Sequence, residues 1–258
     1  MMPRRYIVTR PAGHAAALSK ALRAAGIEPV EVPAVAITDP ESWGPLDAAL
    51  HQMPEYDWVL LTSRSGVDVL FDRAGPAFDW PVTLRWAVIG SGTAESLRAR
   101  GIRDIWMPSR FLGEAIAVEM PAARGARVLR VRAEQASAVP TAGLRARGVE
   151  VTDVIAYRTS VAPPGSREAL ARAWTLGVEG VILTSASTVR GFLDLLAETG
   201  LRAEVETVRL VAIGPVTAAA LRAEGLVPHA IASEHSVRGI VEVLTEGRDS
   251  HAAPVRQA

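Results

Sequence analysis

The chain contains itself twice, and that repetition limits its fold more than any other feature. RLVAIGPVTAAALRAEGL, Arg209 to Leu226, echoes RWAVIGSGTAESLRARGI, Arg85 to Ile102, which lies 124 positions earlier. Gly90 matches Gly214, Thr93 matches Thr217, Leu97 matches Leu221 and Gly101 matches Gly225. DWVLLTSRSGV, Asp57 to Val67, returns 122 positions later as EGVILTSASTV, Glu179 to Val189, and Arg10 and Gly26 fall 122 positions before Arg132 and Gly148. A near-constant offset over three separated blocks marks a duplicated unit, and a period this long means two domains of one kind rather than a solenoid.

Within each copy of the first block, a short apolar run ends at a glycine and is followed by residues at helical spacing, the pattern of a buried strand, a tight turn and a helix. The spacing predicts a first strand over Arg4 to Thr9, a helix over Pro11 to Ala25 stopped by Gly26, and an extended segment over Pro29 to Ile37. Strands follow at WVLLTS, RWAVIG, IRDIWMP and ARVLRVRA, then the extended VEVTDVIAYRT, Val149 to Thr159. The last third repeats the middle with GVILTS, RLVAIG, VPHAIA and a final helix from Ser236 to Leu244, and Gly247 to Ala258 reads as a frayed tail. Strands separated by helices of ten to fifteen residues mean parallel sheets covered on both faces, about five strands to a copy, the size of a flavodoxin-like unit. DPESWGP, from Asp39, and VAPPGS, from Val161, punctuate the chain directly after its two extended Val-rich segments. Either the chain leaves a first domain near Thr38 and returns near Thr159, with the two extended segments side by side as a bridge, or two consecutive domains meet near Gly125.

With 258 residues, 49% of them hydrophobic, the chain can bury two ordinary cores. Its 28 basic and 28 acidic residues balance, which argues against a general nucleic-acid or membrane-surface binder. The absence of cysteine excludes disulfides, thiolate metal sites and a thiol nucleophile. No run approaches membrane-spanning length and MMPRRYIVTRP lacks the core of a signal peptide, so a cytoplasmic location is expected.

In a doubly wound sheet the ligand lies beyond the carboxyl ends of the strands, where helix N-termini point free N–H groups at it. The residues expected there are Thr9 and Arg10; Thr62, Ser63 and Ser65; Gly90 and Thr93; Arg132; Ser185, Ser187 and Thr188; Gly214 and Thr217; Ser233 and Ser236. Hydroxyls, glycines and arginines without an acidic cluster suit an anion such as a carboxylate. Each Ser or Thr taken singly is also an ordinary helix cap, and only their joint placement on both domains points to a ligand. Gly90, Gly92 and Thr93 begin a dinucleotide fingerprint that Glu95 breaks, no phosphate loop or GxSxG elbow is present, and the five histidines lack ligand spacing. Tyr157, one of three tyrosines, falls in the second extended segment, where a phenol packs or, in a cleft, donates a proton.

VTRP near the start, the TS after WVLL and VIL, AIGPVTAAALRAEG and VIAYRT together resemble the uroporphyrinogen-III synthase family over nearly the whole chain. The resemblance implies an enzyme that cyclises linear hydroxymethylbilane with inversion of its fourth ring, loses water and uses no cofactor. It implies two flavodoxin-like doubly wound domains joined by a two-stranded ladder: 1–37 with 160–258, and 38–159, with 30–37 and 150–158 as the connecting strands. It also implies a linear tetrapyrrole held by main-chain N–H groups, no nucleic-acid or membrane partner, and transient contact with the preceding enzyme of the pathway. Tyr157 falls at the family tyrosine implicated in departure of the hydroxyl, and Ser63, Thr93, Ser187 and Thr217 at positions lining the cleft. The chain departs from the family at Val216, at Ala133, and at Arg64, Ser65 and Gly66. A carrier that closes on a polycarboxylate without converting it is the reading from another class, kept open by Val216 and Ala133.

Overall fold

The computed structural model describes residues 3–161 and 163–246. In chain order they form β1 (Arg4–Val8), α1 (Ala16–Ala24), β2 (Ile27–Glu31), β3 (Val35–Thr38), α2 (Gly44–His51), β4 (Trp58–Leu61), α3 (Arg64–Ala74), β5 (Arg85–Val88), α4 (Ser91–Ala99), β6 (Ile105–Trp106), α5 (Gly113–Glu119), β7 (Arg127–Ala133), α6 (Val139–Ala146) and β8 (Glu150–Val161). There follow α7 (Ser166–Leu176), β9 (Gly180–Leu183), α8 (Ala186–Glu198), β10 (Arg209–Ala212), α9 (Pro215–Ala223), β11 (Ala230–Ile231) and α10 (Val237–Glu246). Short 3₁₀ turns over Met53–Glu55 and Ala203–Thr207 precede β4 and β10.

The chain divides into two compact units, 1–36 with 160–258, and 37–159. The first holds a sheet in the order β11-β10-β9-β1-β2, with every neighbouring pair parallel. Val181, Ile182 and Leu183, successive residues of β9, alternate between its faces as a period of two demands. On one face Ile7, Val181, Leu183 and Leu210 pack under α7, α8 and α9 through Leu170, Phe192 and Leu221. On the other, Tyr6, Val8, Ile182 and Val211 pack under α1 and α10 through Leu18, Leu22 and Ile240.

The second sheet runs β3-β8-β7-β4-β5-β6. Val59, Leu61, Val88, Leu129 and Val131 meet α2, α3 and α4 on one face, and Leu60, Ala87 and Val128 meet α5 and α6 on the other. Moved by the repeat offset, β7, β8, β4, β5 and β6 fall on β1, β2, β9, β10 and β11, so the two sheets share one order apart from β3. Strands buried on both faces read as unbroken apolar runs, which is why WVLL and GVIL have no polar alternation.

Four expected elements differ. The helix expected from Pro11 begins at Ala16, because Gly13 takes φ +84° and the preceding residues form a turn. The segment from Pro29 to Ile37 is two strands, β2 and β3, separated at Val32–Ala34, and Pro29 is tolerated because β2 is the edge of its sheet. IRDIWMP supplies only the two-residue β6, and VPHAIA only the two-residue β11. The tail reading falls on residues beyond 246, outside the described residues.

Candidate functional site

The β7–β8 ladder contains the feature that sets the site of the 37–159 unit. Arg132 pairs with Ile155, but Ala133 pairs with Tyr157, so Ala156 is an extra residue on β8. Such a bulge shifts the alternation by one residue. Val154, Ala156 and Tyr157 consequently all join the core face under α2–α4. There the Tyr157 side chain is 5% exposed and its phenol lies 2.7 Å from Ser63 Oγ.

Ser63 is the N-cap of α3, its extended backbone following directly from β4, and its Oγ accepts the Gly66 N–H at 3.0 Å. Gly66 leaves room for this cap, since a Cβ there would come within 3.2 Å of Ser63 Oγ. Burial raises the Tyr157 pKa, against which hydrogen bonds from Ser63 and Ser65 act. The group is therefore a neutral phenol at working pH, a proton donor rather than a base.

The neighbouring strand end presents Gly90 as the N-cap of α4, extended and without a side chain, followed by Ser91 and the buried Thr93. Ser91 Oγ is buried without a partner among the described residues, an acceptor and donor left open at the end of β5. Arg64, from the first turn of α3, lies over Gly92, where a Cβ would fall 2.9 Å from its Nη2, and pairs with Glu95 at 3.2 Å. Arg64 entered the sequence reading only as a departure from the family, and Ser91 did not enter it, because a serine inside a helix start is unremarkable until its hydroxyl is seen to be unpartnered. At the end of β7, Arg132 donates from Nε to Asp153 at 2.9 Å and from Nη1 to the carbonyls of Ala133 and Glu134.

The other unit repeats the layout with different chemistry. Thr9, fully buried, donates to the Ile182 carbonyl at 2.8 Å, and Arg10 follows it at the end of β1, also buried. Ser185 caps α8 in a reciprocal box with Thr188, and its Oγ is 2.9 Å from that of Ser187. Gly214 caps α9, and His235 explains the glycine, because a Cβ would fall 2.5 Å from its ring. Thr217 is buried in the first turn of α9, while Val216 beside it is exposed.

Tyr157 lies within β8, while the hydroxyl, glycine and arginine candidates lie near the strands' carboxyl ends or about the first turn of the helix that follows. Within the 37–159 unit, Tyr157, Ser63 and Ser65 come together; Thr62 joins β4 to that cap. The 1–36 and 160–258 unit brings together Ser185, Ser187 and Thr188. Each unit by itself presents hydroxyls, main-chain donors and a guanidinium of the kind an anion takes, and the 37–159 unit adds one phenol able to give a proton.

The sequence profile of the uroporphyrinogen-III synthase HemD family matches residues 16–242. A uroporphyrinogen-III synthase from Synechococcus elongatus is 31% identical over 218 residues, 82% of this chain and 83% of that protein. Among solved structures, a mutant uroporphyrinogen III synthase from Thermus thermophilus superposes with a TM-score of 0.61 at 20% identity, covering 96% of this chain and 100% of that one. A uroporphyrinogen-III synthetase from Helicobacter pylori gives 0.55 at 16% identity, covering 95% and 100%. At those identities the two structures speak for the α/β fold alone.

Proposed function

The chain belongs to the uroporphyrinogen-III synthase family, and we propose that it cyclises hydroxymethylbilane to uroporphyrinogen III with inversion of the fourth pyrrole ring and loss of water. The observation that carries this reading is the family match across 16–242, which spans both compact units.

The linear substrate loses its hydroxyl readily, because the adjoining pyrrole nitrogen's electrons expel it, and it closes unaided to the type I isomer. The protein's task is therefore mostly geometric: the substituted carbon of the last ring, rather than its free neighbour, must be held as the attacking atom. In this reading, acetate and propionate groups are held by the donors at the strand ends: Arg10, Ser185, Ser187, Gly214 and Thr217 in one unit, and Thr62, Ser63, Ser65, Gly90, Thr93 and Arg132 in the other. Tyr157 gives its phenolic proton to the departing hydroxyl, which leaves as water. A well-placed general acid contributes about 10²–10⁴-fold.

The shared strand order supports flavodoxin-like units: it reads 2-1-3-4-5 in the first when strands are numbered from β1, and in the second when the numbering starts at β7 and wraps round from β8 to β4, with β3 outside the count. The adjacency of β3 and β8 supports a two-stranded ladder as the connection. Among the described residues no helix is long and apolar enough to cross a membrane. A cytoplasmic enzyme that receives its unstable substrate by transient contact with the preceding enzyme fits this chemistry.

Freshly generated hydroxymethylbilane supplied to the purified protein is expected to give the type III isomer faster than the spontaneous type I product. Type I alone at the uncatalysed rate would overturn the proposal, and tight binding without turnover would make the protein a carrier.

A further inference from the structure

By volume, Arg130 heads the fully buried side chains of the described residues: it is 1% exposed, in the middle of β7 on the face covered by α5 and α6. Its counterpart in the other unit is Val8. Leu60 lies across from Arg130, and Ile182, the repeat partner of Leu60, lies across from Val8. A fully buried valine is therefore sufficient for the sheet at that place.

Withdrawing a guanidinium from water is expensive, and here the compensation is incomplete. Nη1 donates to Thr141 Oγ1 and Nη2 to the Ser137 carbonyl, each at 2.8 Å, while Nε is buried with no partner among the described residues. The carboxylate beside it, Asp153, stands 3.7 Å from Nη1 and is shared with Arg132, whose Nε is 2.9 Å away. The N-terminal end of α6 adds a further positive partial charge. Burial lowers the Arg130 pKa from its ordinary value, with Asp153 opposing and Arg132 reinforcing the shift. Such a cluster is poorly explained by stability, for which an apolar side chain of similar volume does as well or better.

What the cluster does fix is position. Both Nη bonds of Arg130 end on the loop between β7 and α6 or on the first turn of that helix. The same loop opens with the Glu134 N–H donating to the Tyr157 carbonyl at 3.0 Å, and its first carbonyls hold Arg132 Nη1. One buried side chain therefore anchors the far end of a loop whose near end is tied to Tyr157 and Arg132.

We infer that Arg130 is a positioning residue for recognition of a substrate carboxylate: it holds the 134–138 loop and shares Asp153 with Arg132, so that Arg132 and the loop N–H groups are set before substrate arrives. Arg130 touches no substrate itself. This rests on the function proposed above.

The test is Arg130→Met, read by amide exchange at Glu134, Ala136 and Ala142, whose N–H groups have backbone acceptors in the loop and at the helix start, and by kinetics with hydroxymethylbilane. The variant is expected to melt at or above the wild-type temperature. Its Glu134, Ala136 and Ala142 amides should exchange about 10–100-fold faster, and KM should rise by a similar factor at nearly unchanged kcat, as loss of charge-assisted hydrogen bonds and of uniform binding requires. Arg130→Lys, able to replace one of the two bonds, should recover part of both. Wild-type protection together with wild-type KM in Arg130→Met would overturn the inference. Should that variant fail to fold, Thr141→Val removes one anchor, and unchanged exchange of the same amides there would overturn it equally. A wild-type protein that does not turn over hydroxymethylbilane would remove the reaction, while the exchange measurement would still decide whether Arg130 holds the loop.

Discussion

The Tyr157 phenol is buried, neutral and bonded to a hydroxyl that is already a helix cap, so its two duties can be separated by substitution. Tyr157→Phe keeps the packing and removes the proton; turnover is expected to fall about 10²–10⁴-fold, while the product remains type III because the ring geometry is set elsewhere. Product separation decides the point, and a switch to type I would assign the phenol to orienting the ring. Because burial raises its pKa, any alkaline loss of rate owed to Tyr157 should appear above the ordinary tyrosine value of about 10, and a rate profile falling below that pH would count against it as the acid. Thr93→Ala, Ser187→Ala and Thr217→Ala should each cost only about 0.5–2 kcal/mol of transition-state energy, measured as kcat/KM. At this scale the sequence was partly legible. Ser63 and Ser185 stand where strands turn into helices and read as caps. The Ser63–Tyr157 contact did not show, because it joins residues 94 positions apart and depends on a one-residue bulge that no alternation pattern reveals.

Close approach of helices is set by single glycines, and α5 against α6 is the tightest case. A Cβ on Gly143 would fall 2.2 Å from Ala117 Cβ. Gly143→Ala should therefore destabilise by about 1–3 kcal/mol despite better helix propensity. Moving the methyl by combining it with Ala117→Gly should restore most of the loss, checked by urea denaturation of the single and double variants. In the other sheet, at the strand ends away from the candidate ligand side, β1 and β9 are pinned by Glu179. Tyr6 donates to it at 2.8 Å, and Arg4 holds it through Nε at 2.7 Å and Nη2 at 2.8 Å. Burial first, then the bond to Glu179, pushes the Tyr6 pKa up to about 12. A group favoured protonated in the fold contributes stability that is whole below pH 10 and lost as pH rises through 12. The Arg4 hydrogen bond holds Glu179 below the usual carboxylate range, so its contribution is present above the unfolded value and lost as the solution is acidified. Tyr6→Phe should flatten the alkaline limb of a melting-temperature profile and lower stability by about 1.5–3 kcal/mol at neutral pH. The strands were legible as apolar runs bounded by glycine. The start of α1 was not, since alanine-rich sequence from Ala15 onward continues a helical pattern that Gly13 interrupts only through its backbone.

On the scale of the whole chain, neither compact unit is a copy of the repeat. The unit of 1–36 and 160–258 takes β1 and β2 from the first copy and β9, β10 and β11 from the second, whereas 37–159 takes β4, β5 and β6 from the first and β7 and β8 from the second. The duplication was plain in the sequence. Which halves pair was not, because each strand has two neighbours of equal pattern to choose from. The middle unit is continuous and its two cores draw on its own residues, so a 37–159 fragment should unfold cooperatively in urea, and a broad, featureless transition would refute that. The opening strands have no such independence. β1 leaves the ribosome roughly 170 residues before β9, which at about 5–20 residues per second is a wait on the order of ten to thirty seconds. Once β4, the repeat twin of β9, has emerged, it competes for the edge of β1 that β9 takes in the native sheet. A nascent chain halted with its tunnel exit near residue 170 should therefore show residues 37–159 resistant to protease and residues 1–36 still cleavable, making the order of synthesis, as well as the final contacts, a condition for reaching the native pairing.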